Sequence, residues 1–283
     1  MDILEETKFI LNKYNIRANK SLGQNFLVDD NVVNKIIEAS DITKNDLVIE
    51  IGPGLGVLTN RLLRTAYKVI AIELDEKMVE IITDRFKLFD NFKVINEDIL
   101  KVDLRELIKE EKQEANIKNV KIVANLPYYI STPIIVKLLE ERLNINSIVV
   151  MVQKEVAERL TAIPGTRLSG AITYMVDYYA VSKNIVDVGK ECFIPNPKVN
   201  SEVIELKIRQ EPKLKIKDEE KLFRLIQNSF SQRRKTLVNC LVNYNFVKDK
   251  QSAIEILQKM GLEPTIRGEN LTLEQFVELE TLL

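Results

Sequence analysis

Glu50-Ile51-Gly52-Pro53-Gly54-Leu55-Gly56 is the stretch on which the reading of this chain turns. It follows the apolar run Leu47–Ile51 and opens the helix-period segment Leu55–Arg64. Glycines between a strand and a helix let the backbone approach a ligand closely, at the helix N-terminus. Taken alone, such a turn is equally an ordinary tight connection. The residues downstream favour the ligand. The spacing is G-x-G-x-G, and Val57 stands where a third dinucleotide-binding glycine would be. Glu73 closes the next apolar run, Val69–Glu73, 21 residues after Gly52. A carboxylate there can accept hydrogen bonds from both hydroxyls of a ribose. Asp98 follows the third run, Lys93–Asn96, where an acid can accept from an adenine amino group. Singly, Glu73 and Asp98 read as helix N-cap acids. Ligand-type residues at three successive strand ends are far less ordinary, and open α/β sheets bind ligands at those ends.

The pattern continues outward. Val120–Ala124 and Ile148–Val152 are further strand-length apolar runs, and Asp30–Ala39, Asp75–Lys87, Pro133–Arg142 and Lys154–Thr161 have helical period. Continuously apolar strands alternating with amphipathic helices predict a mostly parallel sheet covered on both faces. Ile185–Val188 and Glu202–Ile208 flank the proline-rich Phe193–Val199 and are expected as an antiparallel pair at the sheet edge. The pattern changes near Arg209, where Gln210-Glu211-Pro212-Lys213 reads as a linker. Beyond it Glu219–Ser231, Lys235–Tyr244, Gln251–Met260 and Leu273–Leu282 read as helices. Gly261 suits a helix C-terminus, and Thr272 with Gln275 suits a capping box. The expected division is an α/β domain over 1–209 and a small helical domain over 210–283.

Composition removes several function classes. Among 283 residues there is no histidine, which excludes Ser-His-Asp hydrolysis, Cys-His proteolysis, His-ligated zinc and a His general base. Cys192 and Cys240 are too few for a four-cysteine zinc site, so no metal is expected. Residues 1–10 lack the basic start of a signal peptide, and no apolar run reaches membrane-spanning length. The expectation is a soluble, cytoplasmic protein. Net charge is −1, so bulk charge does not announce a nucleic-acid binder, but its distribution is uneven. From Lys221 to Val247 there is no acid, while Lys221, Arg224, Arg233, Arg234 and Lys235 are all cationic.

Asn125-Leu126-Pro127-Tyr128 follows the fourth strand. An exocyclic amine on a base is a poor nucleophile because its lone pair is delocalised into the ring. Its two N–H groups can be held by the Asn125 side-chain oxygen and the Leu126 carbonyl, acceptors that favour positive charge developing on nitrogen. Pro127 stiffens the turn and Tyr128 can stack on the base. The bland alternative is a loop with an Asx-turn and a core tyrosine. Behind the glycine turn, the base-holding reading is preferred.

These motifs resemble the ribosomal RNA adenine N6,N6-dimethyltransferases, a family of class I, Rossmann-like methyltransferases that use S-adenosyl-L-methionine. The likeness runs nearly end to end, through Lys20-Ser21-Leu22-Gly23-Gln24-Asn25-Phe26-Leu27, Glu50–Gly56, Glu73, Asp98, Asn125–Tyr128 and Phe193-Ile194-Pro195-Asn196-Pro197-Lys198-Val199. It implies a seven-stranded sheet and cofactor contacts at Asn25, Leu27, Gly52, Gly54, Glu73, Asp98 and Asn125. It also implies a base pocket of Asn125, Leu126, Pro127 and Tyr128, with Phe193 facing Tyr128 across the target adenine. Ser229–Leu237 and Arg267–Phe276 resemble the housekeeping type, which dimethylates two adjacent adenosines in the 3′-terminal hairpin of small-subunit (16S) rRNA. The implied partner is an immature small ribosomal subunit bound by a monomer. Arg233, Arg234 and Lys235 are the expected RNA-phosphate contacts, against the plainer reading of a solvated helix end. The competing readings are the macrolide-resistance type acting on large-subunit rRNA, and a ribosome-assembly or nucleic-acid-binding factor whose chemistry is secondary. An NAD-dependent oxidoreductase is disfavoured by the glycine spacing.

Overall fold

A computed structural model of the chain describes residues 2–19, 22–114 and 117–283. The chain begins with α1 (Ile3–Lys13), β1 (Phe26–Leu27) and α2 (Asp30–Ser40). Strands and helices then alternate: β2 (Asp46–Ile51), α3 (Val57–Thr65), β3 (Lys68–Glu73), α4 (Glu76–Phe86), β4 (Phe92–Asn96) and α5 (Leu104–Glu114). The alternation continues through β5 (Asn119–Asn125), α6 (Ser131–Glu140), β6 (Ser147–Gln153) and α7 (Lys154–Thr161). After α8 (Ala171–Tyr179) come β7 (Ala180–Val188), β8 (Phe193–Ile194) and β9 (Ser201–Ile208). The remainder is helical: α9 (Glu219–Ser231), α10 (Leu237–Asn243), α11 (Lys250–Lys259) and α12 (Leu273–Leu282).

The main sheet has seven strands in the order β4-β3-β2-β5-β6-β9-β7. Pairing is parallel from β4 through β6 and antiparallel between β6 and β9. All six residues of β2 are buried, as expected for a central parallel strand covered on both faces. The order matters for function. From β2 the chain steps outward to β3 and β4, then returns to place β5 on the other side of β2. The β2/β5 boundary is therefore a topological switch point, where the loops after two neighbouring strands diverge and leave a crevice. The glycine turn follows β2 and Asn125 ends β5, so the two motifs flank that crevice.

Expected strands and helices occupy their places, with ends shifted by a few residues. The helices α1, α5 and α8 are additions to the sequence reading. The capping box at Thr272 and Gln275 is present, and Gly261 sits at φ +69° just past α11.

Contacts divide the chain into two units, 1–157 with 182–208, and 158–181 with 209–283. The last of the three cuts, after Ile208, lies one residue before the expected boundary, but residues 158–181 group with the C-terminal helices rather than with the sheet. The reason is aromatic packing within the helical unit. The Tyr174 ring lies 5.4 Å from Phe230 and 5.2 Å from Phe276, centroid to centroid. Its hydroxyl donates to the Leu271 carbonyl at 2.6 Å.

Gly56 caps α3 in the left-handed region, at φ +81°. A Cβ there would lie 2.5 Å from Cε2 of Phe86. That ring is held edge-on by Phe89 and Phe92, at 6.1 and 5.5 Å, so it has no room to swing away. Gly56→Ala combines overpacking with backbone strain and should destabilise the protein by about 2–4 kcal/mol. Denaturant unfolding of the two proteins measures it; a loss below 1 kcal/mol would mean that the α3–α4 packing yields freely.

Candidate active site

Each motif reaches the crevice on a separate strand end. The cleft encloses about 1050 Å³, open to solvent, and its walls include Asn25, Leu27, Gly52, Gly54, Glu73, Asp98 and Asn125. Leu126, Pro127 and Tyr128 complete one side. All seven expected cofactor positions and the four residues of the base-holding motif therefore share one cavity. Lys20 and Ser21 of the N-terminal motif lie outside the described residues.

Glu73 organises the cofactor half. Its Oε2 accepts the Gly54 N–H at 3.1 Å and its Oε1 accepts the Asp75 N–H at 2.9 Å. The acid at the end of β3 thus ties down the glycine turn after β2. Burial pushes its carboxyl above the ordinary range, against the pull of the Asp75 and Gly54 N–H groups. Each carboxylate oxygen keeps a second lone pair for another donor. Asp98 is half-buried, and its Oδ1 accepts the Leu100 N–H at 2.9 Å.

Glu50 received no role from the sequence beyond its place in the turn. It lines the cleft at 1% exposure, and Thr59 donates its hydroxyl to Oε2 at 2.6 Å. Burial pushes its carboxyl up to about 8, helped by the nearby charge of Glu73 and opposed by Thr59. Two buried carboxyls so close share the site by keeping one of them protonated.

The half built on Asn125–Tyr128 is set by three long-range contacts. Asn125 Nδ2 donates to the Asn25 carbonyl at 3.4 Å, a contact that uses its donor end and leaves Oδ1 as the acceptor. The Leu126 N–H donates to the Met151 carbonyl at 3.1 Å, which pins this peptide to β6. The Tyr128 hydroxyl lies 2.5 Å from Ser201 Oγ, and Ser201 is fully buried at the start of β9. Ser201 is a positioning partner that no local pattern announces, since 73 residues separate it from Tyr128. Gln24 joins the N-terminal segment to the site, donating to Asp75 Oδ2 at 2.7 Å. Tyr129 is half-exposed at the cleft, its ring beside Gly23.

Phe193 departs from the sequence reading. It lies in β8, opposite Leu27 of β1, and is only 1% exposed. Its ring belongs to the hydrophobic core with Leu27, Val32 and Val203, and it is absent from the cleft walls. Pairing of β1 with β8 turns this aromatic surface inward, where burial is worth more than contact with a solvent-open cleft.

The basic run lies in the helical unit, in the turn between α9 and α10. Arg233 is engaged internally: Nε donates to Glu269 at 3.1 Å, Nη2 donates to the Ser169 carbonyl at 2.9 Å, and the guanidinium sits over Phe230. Arg234 and Lys235 are exposed and have no ion-pair partner among the described residues.

Residues 15–281 match the family described as Ribosomal RNA adenine dimethylase. The chain belongs to this family. Curated relatives named Ribosomal RNA small subunit methyltransferase A agree along the whole length. The protein of Clostridioides difficile (strain 630) is 45% identical over 98% of this chain and 94% of its own. That of Clostridium acetobutylicum is 47% identical over 96% of each chain. Among solved structures, a dimethyladenosine transferase from Plasmodium falciparum superposes with a TM-score of 0.73 at 28% identity, over 90% of this chain and 95% of its own. The 23S rRNA methyltransferase ErmE shares the fold, with a TM-score of 0.68 at 24% identity over 92% of this chain and 99% of its own.

As a ribosomal RNA adenine dimethylase the enzyme uses S-adenosyl-L-methionine. The cleft fits that molecule chemically. A Cβ on Gly52 or Gly54 would occupy the floor beside Pro127 or Phe26, so the bare backbone leaves a cradle. Glu73 and Asp98 offer acceptors for hydroxyl and amino groups, and Leu74 and Ile99 add apolar wall. Among the described residues, no group of three or more Cys, Asp or Glu side chains is placed to hold a metal.

Two outcomes follow from the acids. Glu73→Ala should weaken S-adenosylhomocysteine binding by about 1.5–3 kcal/mol, the loss of a charge-assisted acceptor; equal affinities by calorimetry would remove Glu73 from the ligand. Glu50 binds a proton in the folded protein between the ordinary glutamate value of about 4.3 and about 8, whereas the unfolded chain has released it. Stability should therefore fall as pH rises through that window, by up to about 1.4 kcal/mol per pH unit, and level off above it. Glu50→Gln should lack this component, as urea unfolding at pH 5 to 8.5 would reveal.

Proposed function

We propose that this enzyme dimethylates N6 of two adjacent adenosines in the 3′-terminal hairpin of small-subunit (16S) rRNA, acting as a cytoplasmic monomer on the immature small subunit, without a metal. What carries this reading is the agreement in name of relatives 45–47% identical over at least 96% of the chain, all small-subunit methyltransferases. No helix among the described residues is long and apolar enough to cross a membrane, in keeping with a partner in the cytoplasm.

The cofactor supplies an electrophilic methyl group on a sulfonium. The chain's task is to hold the adenine N6 in line with it, which is positioning chemistry that needs no histidine. Asn125 Oδ1 and the Leu126 carbonyl take the two N–H groups, favouring the positive charge that develops on nitrogen as it attacks. Tyr128 stacks on the base, its ring oriented by Ser201. After one transfer a single N–H remains, and either acceptor alone can hold it for the second. With Phe193 in the core, Tyr128 is the aromatic wall of this pocket. In the helical unit, Arg234 and Lys235 suit RNA phosphates, while Arg233 orders their turn.

The test is incubation of immature small subunits, and separately of protein-free large-subunit rRNA, with labelled S-adenosylmethionine. Nucleoside mass spectrometry should find N6,N6-dimethyladenosine in the small subunit alone. Asn125→Ala should lose both methylation steps, at least 100-fold in rate by the scale of other oxyanion-type donors and acceptors (about 10²–10³). Product in large-subunit rRNA instead would overturn the assignment of substrate.

A further inference from the structure

Leu22–Leu27 forms one wall of the active-site cleft, whereas α1 lines no part of it. Both are fastened to α4. We propose that Arg85 and Gln24 are positioning residues for the cofactor, and that through them the docking of α1 sets how tightly S-adenosyl-L-methionine is held.

The link to α1 is a forked contact. Arg85 lies in the last turn of α4, and its side chain is 13% exposed. Nη1 donates to the Leu55 carbonyl, inside the glycine turn, and Nη2 donates to the Glu6 carboxylate on α1. A guanidinium presents its donors in one rigid plane, so a shift at either acceptor is passed to the other. An ion pair that only tied two helices together would contribute to stability alone. The second donor, on the Leu55 carbonyl, is what joins this pair to the cleft.

The link to the cleft wall is a relay. Gln24 uses both ends of its carboxamide: Oε1 accepts the Asn19 N–H at 2.8 Å, and Nε2 donates to Asp75 Oδ2 at 2.7 Å. Asp75 is the N-cap of α4, and its Oδ1 accepts the Lys77 N–H at 3.0 Å. Its own N–H goes to Glu73 Oε1, and Glu73 Oε2 takes the Gly54 N–H. An unbroken run of hydrogen bonds therefore joins the N-terminal wall to both oxygens of Glu73 and on to the glycine turn.

Apolar packing joins the same three elements. Ile10 of α1, Ile16 and Phe26 pack with Leu55 of the turn and with Met78 and Ile81 of α4, in a cluster separate from the main core. Phe26 stands over the turn, since a Cβ on Gly54 would lie 3.5 Å from its ring. A cluster this small opens at a lower free energy than the main core. Only molecules with the wall in place offer the whole cleft, so the apparent dissociation constant rises as the docked fraction falls. Contacts that keep α1 and Gln24 in place therefore act on cofactor affinity from outside the ligand.

The experiment titrates S-adenosylhomocysteine by calorimetry into the full-length wild type, Glu6→Gln, Arg85→Met, the double variant and Gln24→Leu. Glu6 is not a cleft wall, so any effect of its loss on the ligand is transmitted. Glu6→Gln should raise Kd about threefold and Arg85→Met about tenfold, with the double variant no weaker than Arg85→Met alone. Gln24→Leu should raise Kd about tenfold. In Glu6→Gln the KM for S-adenosylmethionine should rise with Kd while kcat stays within about twofold of wild type, because the loaded enzyme is the same. A purely structural ion pair would move neither KM nor Kd. The transfer assay uses small-subunit rRNA; should transfer occur only on large-subunit rRNA, the substrate reading falls and the same split is read there, while the calorimetry involves no RNA. Wild-type affinity in either Glu6→Gln or Gln24→Leu overturns the proposal, and these two decide even if Arg85→Met does not fold. Effects of Glu6→Gln and Arg85→Met that simply add overturn it too, by making the two residues independent.

Discussion

A carboxylate shared between two backbone N–H groups holds the active end of this enzyme together. Glu73 ends β3, yet its two oxygens reach the Gly54 N–H in the turn after β2 and the Asp75 N–H at the start of α4. Without that bridge the Gly54 N–H would lose its acceptor, whereas Gly52 and Gly56 keep theirs in the Ile72 and Pro53 carbonyls. The neighbouring Glu50 makes the arrangement electrostatically tight. Two anions in this buried corner would repel strongly, and Thr59 is a neutral partner. The charge is therefore divided unevenly: Glu50 holds its proton up to about pH 8 and Glu73 takes the backbone donors. The cleft keeps one well-supported acceptor facing it rather than two competing ones.

Much of this was readable from residues alone, where local chemistry decides. The strand runs are β-branched and apolar because both faces of a parallel sheet are buried, and that density survives in any context. The glycine turn, Glu73, Asp98 and Asn125–Tyr128 are each short-range patterns at strand ends, and they meet in one cleft. What was hidden depends on distant partners. α5 was not evident because Leu104–Glu114 is mostly charged and its apolar residues are few. α8 was obscured for the opposite reason, since Thr173–Val176, Tyr178 and Tyr179 are buried and no polar stripe marks a period. Phe193 was placed at the target base by its motif, but the two-residue pairing with β1 carries it into the core. Ser201 meets Tyr128 only because β9 runs beside β6.

Charge is used locally in this protein, and the near-zero total conceals it. Arg233 and Arg234 are adjacent in sequence, yet one is bound to Glu269 and the Ser169 carbonyl while the other is exposed without an ion-pair partner. On α5 the buried Glu111 draws Lys68 and Lys93 to one side, while the exposed Glu106 pairs with Lys109 on another. Such a surface can bind RNA in patches without the long-range attraction of a strongly basic protein.

The switch point has a consequence for how such an enzyme can evolve. The glycine turn hangs from β2 and Asn125–Tyr128 from β5, and these strands pair directly, with Ile51 opposite Ala124. Their separation is one interstrand step, about 4.8 Å, and it is set by main-chain hydrogen bonds. Side chains on either wall can be exchanged without altering that step. The spacing of the two motifs is thus a fixed gauge of the backbone, like that of rails, and under the proposed function the base held between them is free to vary.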